Sequence, residues 1–286
     1  QLYNGYQQGQ AAVSKLRDLL GTTPSVPEYR SAQPIPEIQG EIVFENVNFS
    51  YNDHTPVLKN INLSIMAGET IAIVGPTGGG KSTIAKLATR FYDPSSGRIL
   101  IDGIDIREVQ LSSLRSQIGV VPQEPFLFAG SIRDNVGFSK PKVSDSEVVE
   151  ALEASGLMTM VNSLPEGINT VIHERGASLS AGERQLIAIA RAFLSKPRVL
   201  VLDEATSNLD LQSESQVEQA LDAILDGRSA IIVAHRLATV MRADRILVVD
   251  NGTIIESGTH QELLARGGAY SAMHNQWQET VRSNGS

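Results

Sequence analysis

Gly75-Pro76-Thr77-Gly78-Gly79-Gly80-Lys81-Ser82 reads G-x-x-x-x-G-K-[ST], a spacing with one well-defined chemistry. Small residues let backbone N–H groups ring a phosphate. A lysine ammonium meets its charge, and a hydroxyl is placed to hold Mg²⁺. Thr83, next in the chain, extends the nucleotide-binding set. A second group, Val199-Leu200-Val201-Leu202-Asp203-Glu204, sets two carboxylates directly after an apolar run. Asp203 is suited to hold Mg²⁺, directly or through water. Glu204 is suited to polarise an attacking water as general base. Acids so placed also fit the N-terminus of a following helix. The phosphate loop by itself implies a bound nucleoside triphosphate and leaves open what its energy is used for.

These groups need strands and helices to hold them. Ile71-Ala72-Ile73-Val74 is all apolar, as a strand buried on both faces should be. After the loop, Ile84, Leu87, Ala88 and Phe91 fall at i, i+3, i+4 and i+7, a helical stripe. A helix starting there adds its positive N-terminal end to the phosphate site. Residues 199–202 and 230–234 read as further all-apolar strands. Residues 41–51 and 57–65 also read as strands, and 98–106 as a short pair turning at Asp102-Gly103. Between about 128 and 191 the pattern is helical. Ser144-Asp145-Ser146-Glu147 is a capping box, as is Thr259-His260-Gln261-Glu262. Residues 185–194 are apolar nearly all round and stop before Pro197. Residues 245–257 read as a hairpin about Asn251-Gly252. Apolar strands alternating with helices predict an α/β fold, a mostly parallel sheet covered on both faces.

The flanks differ. Residues 1–20 carry Ala12, Val13, Leu16, Leu19 and Leu20 at helical spacing, stopped by Gly21. Pro24, Pro27, Pro34 and Pro36 follow, which predicts a semi-extended linker, with the compact domain beginning near Glu41. The chain has 286 residues, a formal net charge of −8 and no cysteine. Its acidic balance weighs against broad nucleic-acid binding. Disulfides and thiolate metal sites are excluded. No apolar run approaches the ~18 residues of a membrane span, so no direct membrane insertion by this stretch is expected. The start at Gln1 rather than methionine reads as a fragment or a processed product.

Leu179-Ser180-Ala181-Gly182-Glu183-Arg184-Gln185 lies between the two nucleotide motifs. With this string in place the chain resembles the nucleotide-binding domain of an ATP-binding-cassette (ABC) transporter over about residues 41–278. The string resembles the family signature Leu-Ser-Gly-Gly-Gln, which caps the γ-phosphate held by the other subunit. The remaining roles are what the resemblance implies. Gln123, in Val121-Pro122-Gln123, resembles the glutamine that senses Mg²⁺ and the attacking water. His235 resembles the switch histidine at the γ-phosphate, and Tyr51 the aromatic that stacks on adenine. Ser207-Asn208-Leu209-Asp210 resembles the loop coupling the two sites of a dimer. Glu174-Arg175-Gly176 resembles a short element of exporters. The implied fold is a P-loop (RecA-like), mostly parallel core with an antiparallel β subdomain and an inserted α-helical subdomain at about 126–192.

The resemblance thus implies an ATPase using ATP and Mg²⁺, with residues 41–286 as the nucleotide-binding domain. Residues 1–40 are the expected tail from a transmembrane domain of the same polypeptide. The expected partner is a second nucleotide-binding domain, and the expected location is the cytoplasmic face of a membrane. An importer ATPase is an alternative, and an ABC-type DNA-repair ATPase a more distant one. The repair enzymes carry a long coiled coil between loop and signature; here only about 100 residues intervene, without sustained heptads. Two positions depart from the signature: Ala181 replaces glycine and Glu183 replaces glutamine. A weakened partner site in a heterodimer and a tolerated variant in an active homodimer both fit.

Overall fold

The computed structural model of the chain describes residues 2–21, 24–52, 55–140, 142–173, 176, 178–203, 211–234 and 236–284. The chain opens with α1 (Leu2–Leu20), ended at Gly21 as expected. Strands β1 (Ile42–Ser50) and β2 (Pro56–Ile65) pair antiparallel, and β3 (Thr70–Val74) leads through the phosphate loop into α2 (Lys81–Ala88). Strands β4 (Ser96–Ile101) and β5 (Ile104–Asp105) turn at Asp102-Gly103, and β4 pairs with β1. Helix α3 (Leu111–Arg115) precedes β6 (Ile118–Val121).

A largely helical insertion follows. It contains β7 (Gly130–Ser131), α4 (Ile132–Val136), α5 (Asp145–Ala154), α6 (Met158–Ser163), β8 (Val171–Ile172) and α7 (Ala181–Leu194). Strands β9 (Val199–Asp203) and β10 (Ser229–Val233) flank α8 (Leu211–Leu225). The chain closes with α9 (Leu237–Val240), β11 (Arg245–Asp250), β12 (Thr253–Gly258), α10 (His260–Arg266) and α11 (Ala269–Asn284). Both anticipated capping boxes form, at Ser144/Glu147 and Thr259/Glu262.

The central sheet runs β12-β11-β3-β10-β9-β6. Every pair is parallel except β11 with β12, the Asn251-Gly252 hairpin. A second sheet, β2-β1-β4-β5, is antiparallel. The strand sequences explain the layers. Ile71, Ile73, Val199, Val201, Ile231 and Val233 face one apolar cluster, with Ile84 and Leu87 of α2 and the antiparallel sheet. Their alternates Ala72, Val74, Leu200, Leu202, Ala230 and Ile232 face a second, with Leu186 and Ile189 of α7 and Leu221 of α8. A period-2 strand between two apolar layers must be apolar at every position, which is the pattern observed. Helices α2 and α7 therefore lie on opposite faces of the sheet.

Three findings differ from the sequence reading. Strand β6, four residues with Gly119 in its middle, is not among the strands the sequence predicts; it pairs with β9 along its whole length. The two-residue ladder β7-β8 interrupts the helical stretch. Phe91 leaves the predicted helical stripe, because α2 ends at Ala88 and Arg90 takes a positive φ of 50°; the Phe91 ring is exposed.

The proline-rich segment turns once, where Ala32 N–H donates to the Tyr29 carbonyl at 2.9 Å, and it is strapped to the domain. Ile35 and Ile38 are buried. Their backbone N–H groups donate to Ser113 Oγ (2.9 Å) and Gln117 Oε1 (2.9 Å). Gln39 and Glu41 donate to the Asp102 carboxylate at 2.5 and 2.9 Å. Arg90 is enclosed completely. Its guanidinium donates to the carbonyls of Pro27 (3.0 Å), Ile106 (2.7 Å) and Val109 (3.0 Å) and to Asp93 (3.0 Å). Each of the three guanidinium nitrogens thus has a partner, as a buried cation requires.

Candidate nucleotide-binding site

The site lies where parallel strands end together. Val233 sits opposite both Ile73 and Asp203, and Val121 opposite Leu202. The C-terminal ends of β3, β10, β9 and β6 thus form one edge, the place where open α/β sheets receive ligands. The phosphate loop leaves β3 there, Asp203 closes β9, and Gln123 stands exposed two residues beyond β6. Glu204, Ser207, Asn208, Leu209 and Asp210, which follow β9, lie outside the described residues, as do His235, Glu174 and Arg175.

Within the loop, Pro76, Thr77 and Gly78 form an exposed crest while Gly79 and Gly80 are buried. Lys81 begins α2 and is 5% exposed. Its ammonium donates to the carbonyls of Gly75 (2.9 Å) and Pro76 (3.0 Å), so the cation is held inside the loop. The positive end of α2 points into the same space. Gly75 has φ 144°, and a Cβ there would lie 2.0 Å from the Val249 carbonyl oxygen. The glycine is required by the hairpin behind the loop. The sequence reading had looked only to the phosphate in front.

Ser82 Oγ donates to Asp203 Oδ1 at 3.2 Å. The two residues are 121 apart in sequence and come from separate motifs. A hydroxyl and a half-buried carboxylate side by side are hard oxygen donors, the set a small divalent cation takes, so the residues present fit Mg²⁺. Tyr51 lies just past β1. Its hydroxyl is 3.1 Å from Thr83 Oγ1, and its ring meets Tyr92 edge-on at 5.2 Å. Lys86 Nζ stands 5.9 Å from the ring centroid. Tyr51 remains 49% exposed beside the loop.

The signature-like string occupies the start of α7. Ser180 is the N-cap: its Oγ accepts from Glu183 N–H (3.1 Å) and its own N–H donates to the Glu183 carboxylate (2.7 Å). This is a further capping box, as is Ser131/Asp134 at the start of α4; Ser180 reads as a plain helix cap in the sequence, and the reciprocal Glu183 bond is added by the structure. Leu179 is half-buried, and Ser180 and Ala181 are exposed. Gly182 is buried against α8, where a Cβ would come 2.5 Å from Ser213 Cβ. The turn Asn251-Gly252 was legible as a turn, yet its place against the phosphate loop was not.

Comparison with known proteins agrees with this geometry. The ABC transporter family model matches residues 58–207, just over half the chain. An uncharacterized ABC transporter ATP-binding protein of Bacillus subtilis is 45% identical over 94% of this chain and 47% of its own length. The ATP-dependent lipid A-core flippase of Syntrophus aciditrophicus is 46% identical over 95% of this chain and 45% of its own. A solved bacterial Atm1-family ABC exporter with ATP bound superposes with a TM-score of 0.88 at 39% identity, covering 96% of this chain and 48% of that one. The chain therefore spans about half the length of the relatives it matches. The matches run through the sheet, the loop and the helical insertion alike, and the chain belongs to the ABC transporter family.

Proposed function

We propose that this chain binds ATP with Mg²⁺ at the C-terminal edge of the central sheet and hydrolyses it, serving as the nucleotide-binding domain of an exporter. The observation that carries the reading is the Ser82–Asp203 contact, which joins the loop motif to the acidic strand end at one point. In this reading the loop amides and the Lys81 ammonium bind the β- and γ-phosphates. Ser82 and Asp203, with Gln123, hold Mg²⁺, which neutralises charge developing on the phosphate oxygens. Glu204 takes the proton of the attacking water, His235 contacts the γ-phosphate, and Tyr51 stacks on adenine. Because α2 and α7 lie on opposite faces of the sheet, the Ser180 end of α7 is suited to the nucleotide of a second protomer. Two domains then close head to tail around two ATP molecules, with Ser207 and Asp210 coupling the sites. Bound phosphates are satisfied only in the closed pair, and hydrolysis reopens it.

The relatives' names, a flippase and an exporter, support the transport role. Residues 1–40 then lead from a transmembrane domain at the cytoplasmic face, and residues 126–192 form the helical subdomain. Among the described residues no helix is long and apolar enough to cross a membrane. The test is phosphate release by the purified chain. Release that requires ATP and Mg²⁺ and ignores added DNA is the expected result. Stimulation by DNA would favour a repair ATPase, and failure to bind ATP at millimolar concentration would end the reading.

The capping box bears on the variant signature. Glu183 fills the N3 position that glutamine fills equally well, and its carboxylate is turned back onto the Ser180 N–H. This favours a tolerated variant in an active homodimer. Glu183→Gln should change folding stability by less than about 1 kcal/mol, since the box is kept. It should also leave ATP-dependent pairing as strong or stronger, since one negative charge is removed. Denaturant titration and gel filtration with ATP check the two halves. Pairing abolished by this substitution would show that the carboxylate itself is needed.

A further inference from the structure

The phosphate loop is backed by the β11-β12 hairpin, and the contact is made through backbone groups. Gly252 N–H donates to the Gly79 carbonyl at 3.0 Å. Gly252 C=O accepts from Lys59 N–H of β2 at 2.8 Å. The turn is wedged between them: a Cβ on Gly252 would fall 2.2 Å from the Val57 carbonyl oxygen, and the residue has φ 78°. The bond to Gly79 matters for a reason of peptide geometry. In a trans peptide the carbonyl of Gly79 and the N–H of Gly80 point in opposite directions from one rigid plane. Holding the carbonyl against the turn aims the Gly80 N–H away from the hairpin, toward the loop's other side. A carbonyl that accepts a hydrogen bond also polarises its peptide and strengthens the N–H as a donor. The remaining backbone groups of Gly79 and Gly80 are committed internally: Gly79 N–H donates to Pro76 C=O, and Gly80 C=O accepts from Thr83 and Ile84 N–H, all at 3.1 Å.

We propose that the Gly252 peptide N–H is a positioning group for the phosphate site, fixing the Gly79–Gly80 peptide so that its N–H meets a phosphate oxygen of the nucleotide. The role deepens the ATPase reading above and rests on it. Through Lys59 the same turn ties the loop to the sheet whose β1 strand leads to Tyr51. It therefore sets the spacing between the phosphate end and the adenine end of the site. Gly252 does not touch the nucleotide; it acts through Gly79 and Gly80.

The test measures ATP·Mg²⁺ affinity, thermal midpoint and amide hydrogen exchange on the full chain. Three variants are compared with wild type. Gly252→Ala drives a methyl into the Val57 carbonyl. Replacement of Gly252 by glycolic acid turns the amide into an ester, which removes the N–H facing the Gly79 carbonyl and adds no side-chain atom. Asn251→Gly keeps the positive φ of 47° at that position and removes an exposed side chain. The ester variant should bind ATP about fivefold or more weakly, the size of one lost hydrogen bond. Its faster exchange should be confined to residues 75–83, and Asn251→Gly should match wild type. Because Gly252→Ala risks misfolding, the ester decides. An ester variant that folds and binds within twofold of wild type overturns the proposal. So does a lowered midpoint with unchanged affinity, the mark of a merely structural turn. Wild type failing to bind ATP would instead refute the underlying ATPase reading.

Discussion

Glu204→Gln should slow ATP turnover by about 10²–10⁴-fold, the usual worth of a general base, while ATP·Mg²⁺ affinity stays within about twofold. Glutamine keeps the size of the side chain and an oxygen acceptor. It cannot take a proton from water. Position supports the assignment: Glu204 directly follows Asp203, whose carboxylate meets Ser82 at the end of β9. Binding and hydrolysis should thereby separate, because the proposed phosphate-binding groups come from the loop and the proposed base follows β9 in the sequence. With hydrolysis blocked, the closed pair should accumulate. Gel filtration of this variant should show a dimer with ATP and a monomer with ADP. An unchanged rate of phosphate release would remove Glu204 from the role of base.

Lys81→Ala should weaken ATP binding by roughly 10–150-fold, taking about 1.5–3 kcal/mol for a hydrogen bond to a charged group. Two losses combine. The ammonium that would face the phosphates disappears. So do its bonds to Gly75 and Pro76 C=O, which brace the loop. Lys81→Arg should rescue little, since a planar guanidinium cannot occupy the nearly closed space of a compact ammonium. Titration calorimetry with ATP and ADP measures the effect. Intact affinity in Lys81→Ala would count against the phosphate-loop assignment.

Local signals in the sequence were enough for much of this architecture. The apolar tetrads at 71–74 and 199–202 gave strands because both sheet faces are covered. Ser144 and Thr259 gave helix starts because a capping box is written in four consecutive residues. Asn251-Gly252 gave the hairpin turn because it supplies two positive φ values. The missing parts depend on distant partners. Strand β6 is four residues long, and only its neighbour β9 makes it a strand. The prolines told only against helix and interior strand; the docking partners Asp102, Ser113 and Gln117 lie 61 to 79 residues away. At the site, the motifs gave the loop and the acidic strand end. The need for glycine at 75 was misattributed, because Val249 behind it comes from a hairpin 174 residues on.

The enclosed Arg90 has a mechanical consequence. It follows α2, the helix whose first residue is Lys81, and it grips the Pro27 carbonyl. Between that grip and β1 the chain is pinned again, since Ala32, Ile35 and Ile38 are sunk in the interior. A tug on the segment ahead of Pro27 would therefore not uncoil a loose leash. It would arrive at the far end of the very rod whose near end carries the lysine.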